Sequence, residues 1–375
     1  MVVTNNEYTI YVDGSTYYAK DLITGDTLSN ASFSSLLTTL NGTNLAAAGG
    51  RLQFRPGTYD ISSATTTITH PIDFIGSGRG RTILRRTAGQ NATTLQFNTP
   101  NVTIANLTID GNYPNQDINQ FAELAFGAGA GNILVYDVEI KNAKTRGINN
   151  SNNGAGQVTI SECFIGSSTS SLAAPFFSGA STITKIRNCS LTNNPGGGPF
   201  CGGTSIISNC ILSNNTGTAA GGDIAATTTA TYLGVFDCII GPGPGTTTDS
   251  GIEFGPTNSP SEFVAVGNMI FNKSGAGITS DPLTTSPITV VGNVIYNMGG
   301  SGIRMQGTNQ KHVLIAENFC FNNQSYGIEI SASGGAPFAI DNYTVRDNMC
   351  YGNVAGQWLD MGTGTHKKIE NNILA

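Results

Sequence analysis

Charge is scarce in this chain: Asp, Glu, Lys and Arg make up 11% of its 375 residues, with 18 basic side chains against 24 acidic ones. A net charge of −6 with no basic run leaves no electrostatic footprint for nucleic acid. Long apolar runs are missing too, and no stretch approaches the roughly eighteen residues of a membrane span. The start, Met1-Val2-Val3-Thr4-Asn5, lacks the charged and apolar blocks of a signal peptide. Histidine occurs only as His70, His312 and His366, in unrelated contexts that suggest turn or surface positions rather than a general base. The seven cysteines form no CxxC or Cys/His spacing, so zinc is not indicated. Tryptophan appears once, as Trp358.

What the chain has in quantity is Gly, 48 residues, and a repeated phrase. Asn188-Cys189-Ser190-Leu191-Thr192-Asn193 is restated as Asn209-Cys210-Ile211-Leu212-Ser213-Asn214. The same amide or acid position recurs at Asn106, Asp137, Glu162, Asn188, Asn209, Asp237, Asn268, Asn293, Asn318, Asn348 and Asn371, at intervals of 21 to 31 residues. Apolar residues alternate after it, as in Leu107/Ile109, Val138/Ile140, Met269/Phe271 and Val294/Tyr296, which is strand rather than helix spacing. A variable period with strand alternation describes a solenoid whose loops absorb the slack. Length alone would allow two ordinary domains, but a continuous repeat argues for one long one.

The beginning does not repeat. Phe33, Leu36, Leu37 and Leu40 fall on one helical face, with Asn30 or Ser32 as N-cap and Gly42 just past the end. A short amphipathic helix can shield the first coil's open strand edge, so residues 1–48 are expected to form an N-terminal cap and 49–375 the solenoid.

Gly50-Arg51-Leu52-Gln53-Phe54-Arg55-Pro56-Gly57-Thr58-Tyr59-Asp60-Ile61 follows, then Ile75-Gly76-Ser77-Gly78 and Thr82-Ile83-Leu84. This succession resembles the entry to the right-handed parallel β-helix proteins of the pectate-lyase-like superfamily. Val102-Thr103-Ile104-Ala105-Asn106-Leu107-Thr108-Ile109-Asp110-Gly111-Asn112 resembles their typical coil. The resemblance implies an all-β, single right-handed parallel β-helix of about eleven recognisable coils. It spans lyases, hydrolases, epimerases, tailspikes and non-catalytic surface proteins, and so implies an extracellular, cell-surface or virion-surface protein without choosing an activity. The motif sets of polygalacturonase-like enzymes (Asn-Thr-Asp, Asp-Asp, His-Gly, Arg-Ile-Lys) and the Asp-Pro-His-Asp-like run of mannuronan epimerases are not present.

The recurring amides are expected to form a structural ladder at the coil corners. Cys163, Cys189, Cys210 and Cys238 share one column and are expected as free buried thiols, because stacked in-register side chains rarely meet disulfide torsions. Between the alternating apolar positions, Ile211, Ile239, Ile270 and Ile295 are expected to point outward. Such a stripe is either covered by a loop or is a contact between copies in a homo-oligomer.

Chemistry is expected on another face. Gly251-Ile252-Glu253, Gly277-Ile278-Thr279, Gly302-Ile303-Arg304, Gly327-Ile328-Glu329 and Gly356-Gln357-Trp358 repeat one pattern. With Ile inward, Glu253, Thr279, Arg304, Glu329 and Trp358 would form an outward column, and Asp281, Gln306, Ser331 and Asp360 its neighbour. Carboxylates and Arg suit uronate groups, and Trp offers a platform for a sugar ring. Arg304, Glu329 and Glu253 are the catalytic candidates; Asp281, Trp358, Asp360 and Gln306 are the substrate-binding ones. Glu253 and Glu329, three coils apart at about 14 Å, are too far for inverting hydrolysis, which needs about 6.5–9.5 Å. Asp281 and Glu329, near 10 Å, are marginal. Lyase-type proton abstraction from an acidic glycan, with Ca²⁺ as a candidate cation, therefore ranks ahead of hydrolysis. A plain surface charge ladder, worth about 0–1 kcal/mol per pair, is the alternative reading of the strip. A second group is Asp110, Asp117, Glu123, Lys144 and Arg146. The chain begins another coil at Lys368–Ala375 and reads as part of a longer protein or one capped by a partner.

Overall fold

The computed structural model describes residues 6–45, 48–62, 65–90, 92–116, 122–150, 156–166, 176–178, 183–195, 197–215, 222–243, 249–255, 262–280, 286–306, 311–331, 340–362 and 364–375. Its strands stack in parallel, and the fold is a right-handed parallel β-helix. The chain forms two compact units, 1–170 with 175–190, and 171–174 with 191–375.

In the first unit, the antiparallel strands Asn6–Asp13, Thr16–Asp21 and Thr27–Asn30 lead into the helix Phe33–Thr39. Ser32 is the N-cap, its side chain accepting from the Ser35 N–H. The helix does not stop before Gly42; it widens into a π turn, Leu40–Asn44. Phe33, Leu36, Leu37 and Leu40 are buried, and Phe33 packs on Phe54 and Tyr59 at 5.9 and 5.3 Å between ring centres. Asn6–Asp13 also pairs in parallel with Gly50–Phe54, so the first strand joins the coil stack.

Period-two alternation sends matching residues inward on each sheet. Leu52, Phe74, Ile104, Val135, Ile160 and Ile186 succeed one another in register, as do Tyr59, Leu84, Ile109, Ile140 and Ile165. All are buried. The second unit repeats the arrangement. Its inward columns are Leu233, Phe263, Ile288, Val313, Tyr343; Leu212, Ile240, Ile270, Ile295, Cys320, Cys350; and Ile224, Ile252, Ile278, Ile303, Ile328.

The second of these columns corrects the sequence reading. Ile211 and Ile239 are exposed as expected, at 48% and 42%, but Ile270 and Ile295 are fully buried. The cause is a one-residue slip at the corners. In the coils through Asp237, the recurring Asn, Asp or Glu occupies the left-handed corner (φ 50–57°), and the next residue turns inward. From there Gly267, Gly292, Glu317 and Asp347 hold the corner, and the Asn that follows takes the inward place. A slip of one residue exchanges the two faces of a strand. The outward column is therefore Ile211, Ile239, Met269, Val294, Phe319, Met349 and Ile373. Beside it Phe271, Tyr296, Phe321 and Tyr351 stack at 5.3, 5.0 and 5.1 Å, with planes within 8° of parallel.

The inward Asn residues make the asparagine ladder. Asn293 Oδ1 accepts from the Asn268 backbone N–H and side-chain amide, both at 2.9 Å, and Asn318, Asn348 and Asn372 continue the sequence. Each side-chain amide also reaches a strand carbonyl, so a buried amide column is satisfied throughout. Where Asn is inward in this column in later coils, Cys163, Cys189, Cys210 and Cys238 are inward in earlier ones; all seven cysteines are free and buried.

Candidate functional site

The expected strip lies on the second unit. Glu253, Thr279, Arg304 and Glu329 are register partners in four successive coils, with the inward Ile of each coil one residue before. Glu253, Arg304 and Glu329 are half-buried and Thr279 is buried. Arg304 Nε donates to Thr279 Oγ1 at 3.4 Å. The Ser301 hydroxyl donates to Glu329 Oε2, and Ser301 Oγ accepts from the Tyr326 N–H, which fixes the direction of the carboxylate. Gln306 stands beside Ser331, and its backbone N–H donates to Ser280 Oγ at 2.8 Å. Asp281 lies outside the described residues.

Trp358 and Asp360 do not join the strip. Gly356 pairs with Tyr326 rather than with Gly327, so Leu359 follows Glu329, while Trp358 follows the inward Ile328 and Asp360 the inward Ile330. Trp358 borders a cleft of about 240 Å³ with Ile328, Ile369 and Leu374. Asp360 is spent on structure: its carboxylate accepts from the Tyr343 hydroxyl at 2.6 Å and lies 3.3 Å from Lys367 Nζ.

The second candidate group is dispersed. Glu123 is fully buried on the first unit, 3.3 Å from Arg86 Nη2, and accepts from the Thr94 hydroxyl. Burial pushes its carboxyl from 4.5 to about 7, against the pull of Arg86. Arg86 is itself lowered by burial, with Glu123 opposing. Asp110 accepts from the Asn112 N–H and the Asn142 amide, each at 2.9 Å. Lys144 donates to the Gln116 carbonyl and Arg146 to Asn149 Oδ1. Asp117 lies outside the described residues. These contacts are those of a scaffold.

One grouping was missed. His312 and His366, far apart in sequence, line a cleft of about 550 Å³ on the second unit with Tyr343, Lys367 and Lys368. The pairing of Lys311–Ala316 with Asp341–Arg346, and of the latter with Lys367–Glu370, brings them together. Only the coil register could have signalled it. Lys367 is engaged there with Asp360 and lies 5.7 Å from the Tyr343 ring centre, and Lys368 pairs with Glu370 at 2.9 Å. Among the described residues, no group of three or more His, Cys, Asp or Glu side chains is arranged to hold a metal ion, and no helix is long and apolar enough to cross a membrane.

No protein-family model matches the sequence, and neither does any curated protein. Solved structures do match. The A-module of the mannuronan C-5 epimerase AlgE6 of Azotobacter vinelandii is similar at 14% identity with a TM-score of 0.60, over 91% of this chain and 95% of that one. The Dettilon tailspike protein gp208 is similar at 12% identity and a TM-score of 0.55, over 90% of this chain and 64% of that one. A point mutant of the periplasmic alginate epimerase AlgG follows at 11% identity and a TM-score of 0.52, over 91% and 88%. At such identities the likeness is one of fold.

Proposed function

We propose that this chain is an extracellular, cell-surface or virion-borne polysaccharide-active β-helix protein that grips an acidic glycan along Glu253, Thr279, Arg304 and Glu329 and cleaves it by β-elimination. The observation that carries the reading is the in-register succession of carboxylate, hydroxyl, guanidinium and carboxylate on one strand column. Two solved structures of this fold are named as mannuronan or alginate epimerases and one as a tailspike, which supports a glycan as the ligand.

In this mechanism the Arg304 guanidinium pairs with a uronate carboxylate and withdraws charge from it, which acidifies the adjacent C–H. Glu329, one coil on at about 4.8 Å, takes that proton, held in position by Ser301. The electron pair forms the ring double bond as the glycosidic C–O bond breaks, and solvent protonates the departing oxygen. Glu253 and Gln306 bond neighbouring hydroxyls. Residues 1–48 serve this reading as the N-terminal cap. The purified protein, with and without Ca²⁺, should generate unsaturated product from pectin or alginate and none from neutral glycans. Loss of product in Arg304→Ala with retention in Lys368→Ala supports the strip; the opposite pattern would move the site to the His312 cleft.

A second reading is favoured by the apolar face. An outward column of Ile211, Ile239, Met269, Val294, Phe319, Met349 and Ile373 with a stacked aromatic column beside it suits a contact with another copy of the chain. The ring faces are already used on one another, so a sugar would meet only their edges. A non-catalytic fibre or adhesion protein would need this face and not Arg304.

A further inference from the structure

A second polar cluster, unrelated to the strip, lies inside the second unit. Lys273 follows the left-handed corner Asn272 (φ 52°) and is turned inward, as Asn194, Asn215, Met298, Asn323 and Asn353 are after their own corners. Its Nζ is 3.1 Å from Asp223 Oδ2, 2.5 Å from Asp249 Oδ2, and donates to the Asn215 carbonyl at 3.2 Å. Lys273, Asp223, Asp249 and Asn215 are all buried. Glycine at 243 makes room for them: a Cβ there would lie 2.2 Å from Lys273 Nζ and 2.7 Å from Asp249 Oδ2.

As an ion cluster this arrangement is poor. Among the described residues Asp223 Oδ1 has no hydrogen-bond partner, and Asp223 Oδ2 meets only the amine. Buried ions normally need every lone pair satisfied before their attraction offsets desolvation. An amine nitrogen held 3.1 Å from a carboxyl whose other oxygen is unsatisfied, beside a second carboxylate and buried away from water, is instead an arrangement suited to condensation.

We propose that Lys273 and Asp223 condense to an intramolecular isopeptide bond, with Asp249 as the proton shuttle. The Lys273 ammonium passes one proton to Asp223, leaving a neutral amine and a carboxylic acid. Nζ attacks Asp223 Cγ and the C–N bond forms. Asp249 takes a proton from the nitrogen and delivers it to the hydroxyl on Cγ, the C–O bond breaks, and one water leaves. Nothing is oxidised or reduced, and the cluster's net charge is unchanged. The product exchanges a buried ion pair for a neutral amide whose N–H can donate to Asp249. Burial, which pushes the Asp223 carboxyl up to about 7, favours the acid form that loses water. Exclusion of water opposes the return reaction.

The test is the mass of the folded, full-length protein after denaturation under reducing conditions. An isopeptide makes it lighter by one water. It also blocks trypsin at Lys273, so the peptides 188–273 and 274–304 give way to a single joined 188–304, since no other Lys or Arg lies between 188 and 304. Lys273→Arg and Asp249→Asn should both restore the full mass. Folded wild-type protein at full sequence mass, with 188–273 and 274–304 recovered, would overturn the proposal. So would a water loss that persists in Lys273→Arg, because that loss would come from aspartyl cyclisation elsewhere.

Discussion

Glu123 shows how one buried side chain can govern stability. Its carboxyl is held neutral up to about 7 in the fold, against an ordinary 4.5. Between those values the folded chain binds more protons than the unfolded one, so stability falls as pH rises through the window. The contribution is complete below the unfolded value and is lost above about 7. Thermal unfolding of the wild type should therefore occur at a lower temperature near pH 8 than near pH 5, by a contribution on the order of 1–3 kcal/mol. Glu123→Gln should flatten that difference; an unchanged slope would assign it to other groups. Glu123 was conspicuous in the sequence as one of few charges, but its partner was not. Arg85 and Arg86 are adjacent, and the strand sends Arg85 out to Asp60 at 2.8 Å and Arg86 in to Glu123. Only the strand's phase separates a surface pair from a buried one.

At the scale of the coil, the inward Asn ladder is the feature on which the second unit's corners depend. Asn318 accepts from Asn293, donates to Asn348 and reaches the carbonyls of Val290 and Ala316. Asn318→Ala would leave several buried groups without partners and should cost about 2–4 kcal/mol in urea or thermal denaturation. The repeat, the strand alternation and the helix at Phe33 were legible because each follows from periodicity. The phase of the later coils was not, because Asn at a left-handed corner and Asn just inside it look alike in sequence. What separates them is the residue before: Gly267 and Gly292 adopt positive φ without strain and release the next Asn to turn inward. Counting from Gly instead of from Asn would have placed Ile270 and Ile295 inside. The same one-residue ambiguity removed Trp358 and Asp360 from the strip, where Gly356 stands opposite Tyr326.

At the scale of the molecule, two faces of the second unit make different demands. The apolar face carries Phe319 at 44% exposure among a column without charge. If it joins copies of the chain, sedimentation should show a concentration-dependent oligomer that Phe319→Lys reduces to monomer with glycan activity retained. A monomer at every concentration would leave the face without a self-partner. The charged column makes the opposite demand, since in the proposed function it must meet a polar polymer. Its pattern of Glu253, Thr279, Arg304 and Glu329 was readable from sequence because the Gly-Ile pair fixes the phase in each coil; the histidine cleft was not, since it depends on which coils neighbour one another. The most direct test of the functional account is calorimetric titration of a uronate oligosaccharide, and of a neutral one of equal length, into the wild type and Arg304→Ala. The account predicts binding of the uronate alone, weakened at least about tenfold, some 1.4 kcal/mol, by loss of Arg304. Equal binding by both proteins, or binding that ignores the uronate charge, would contradict it.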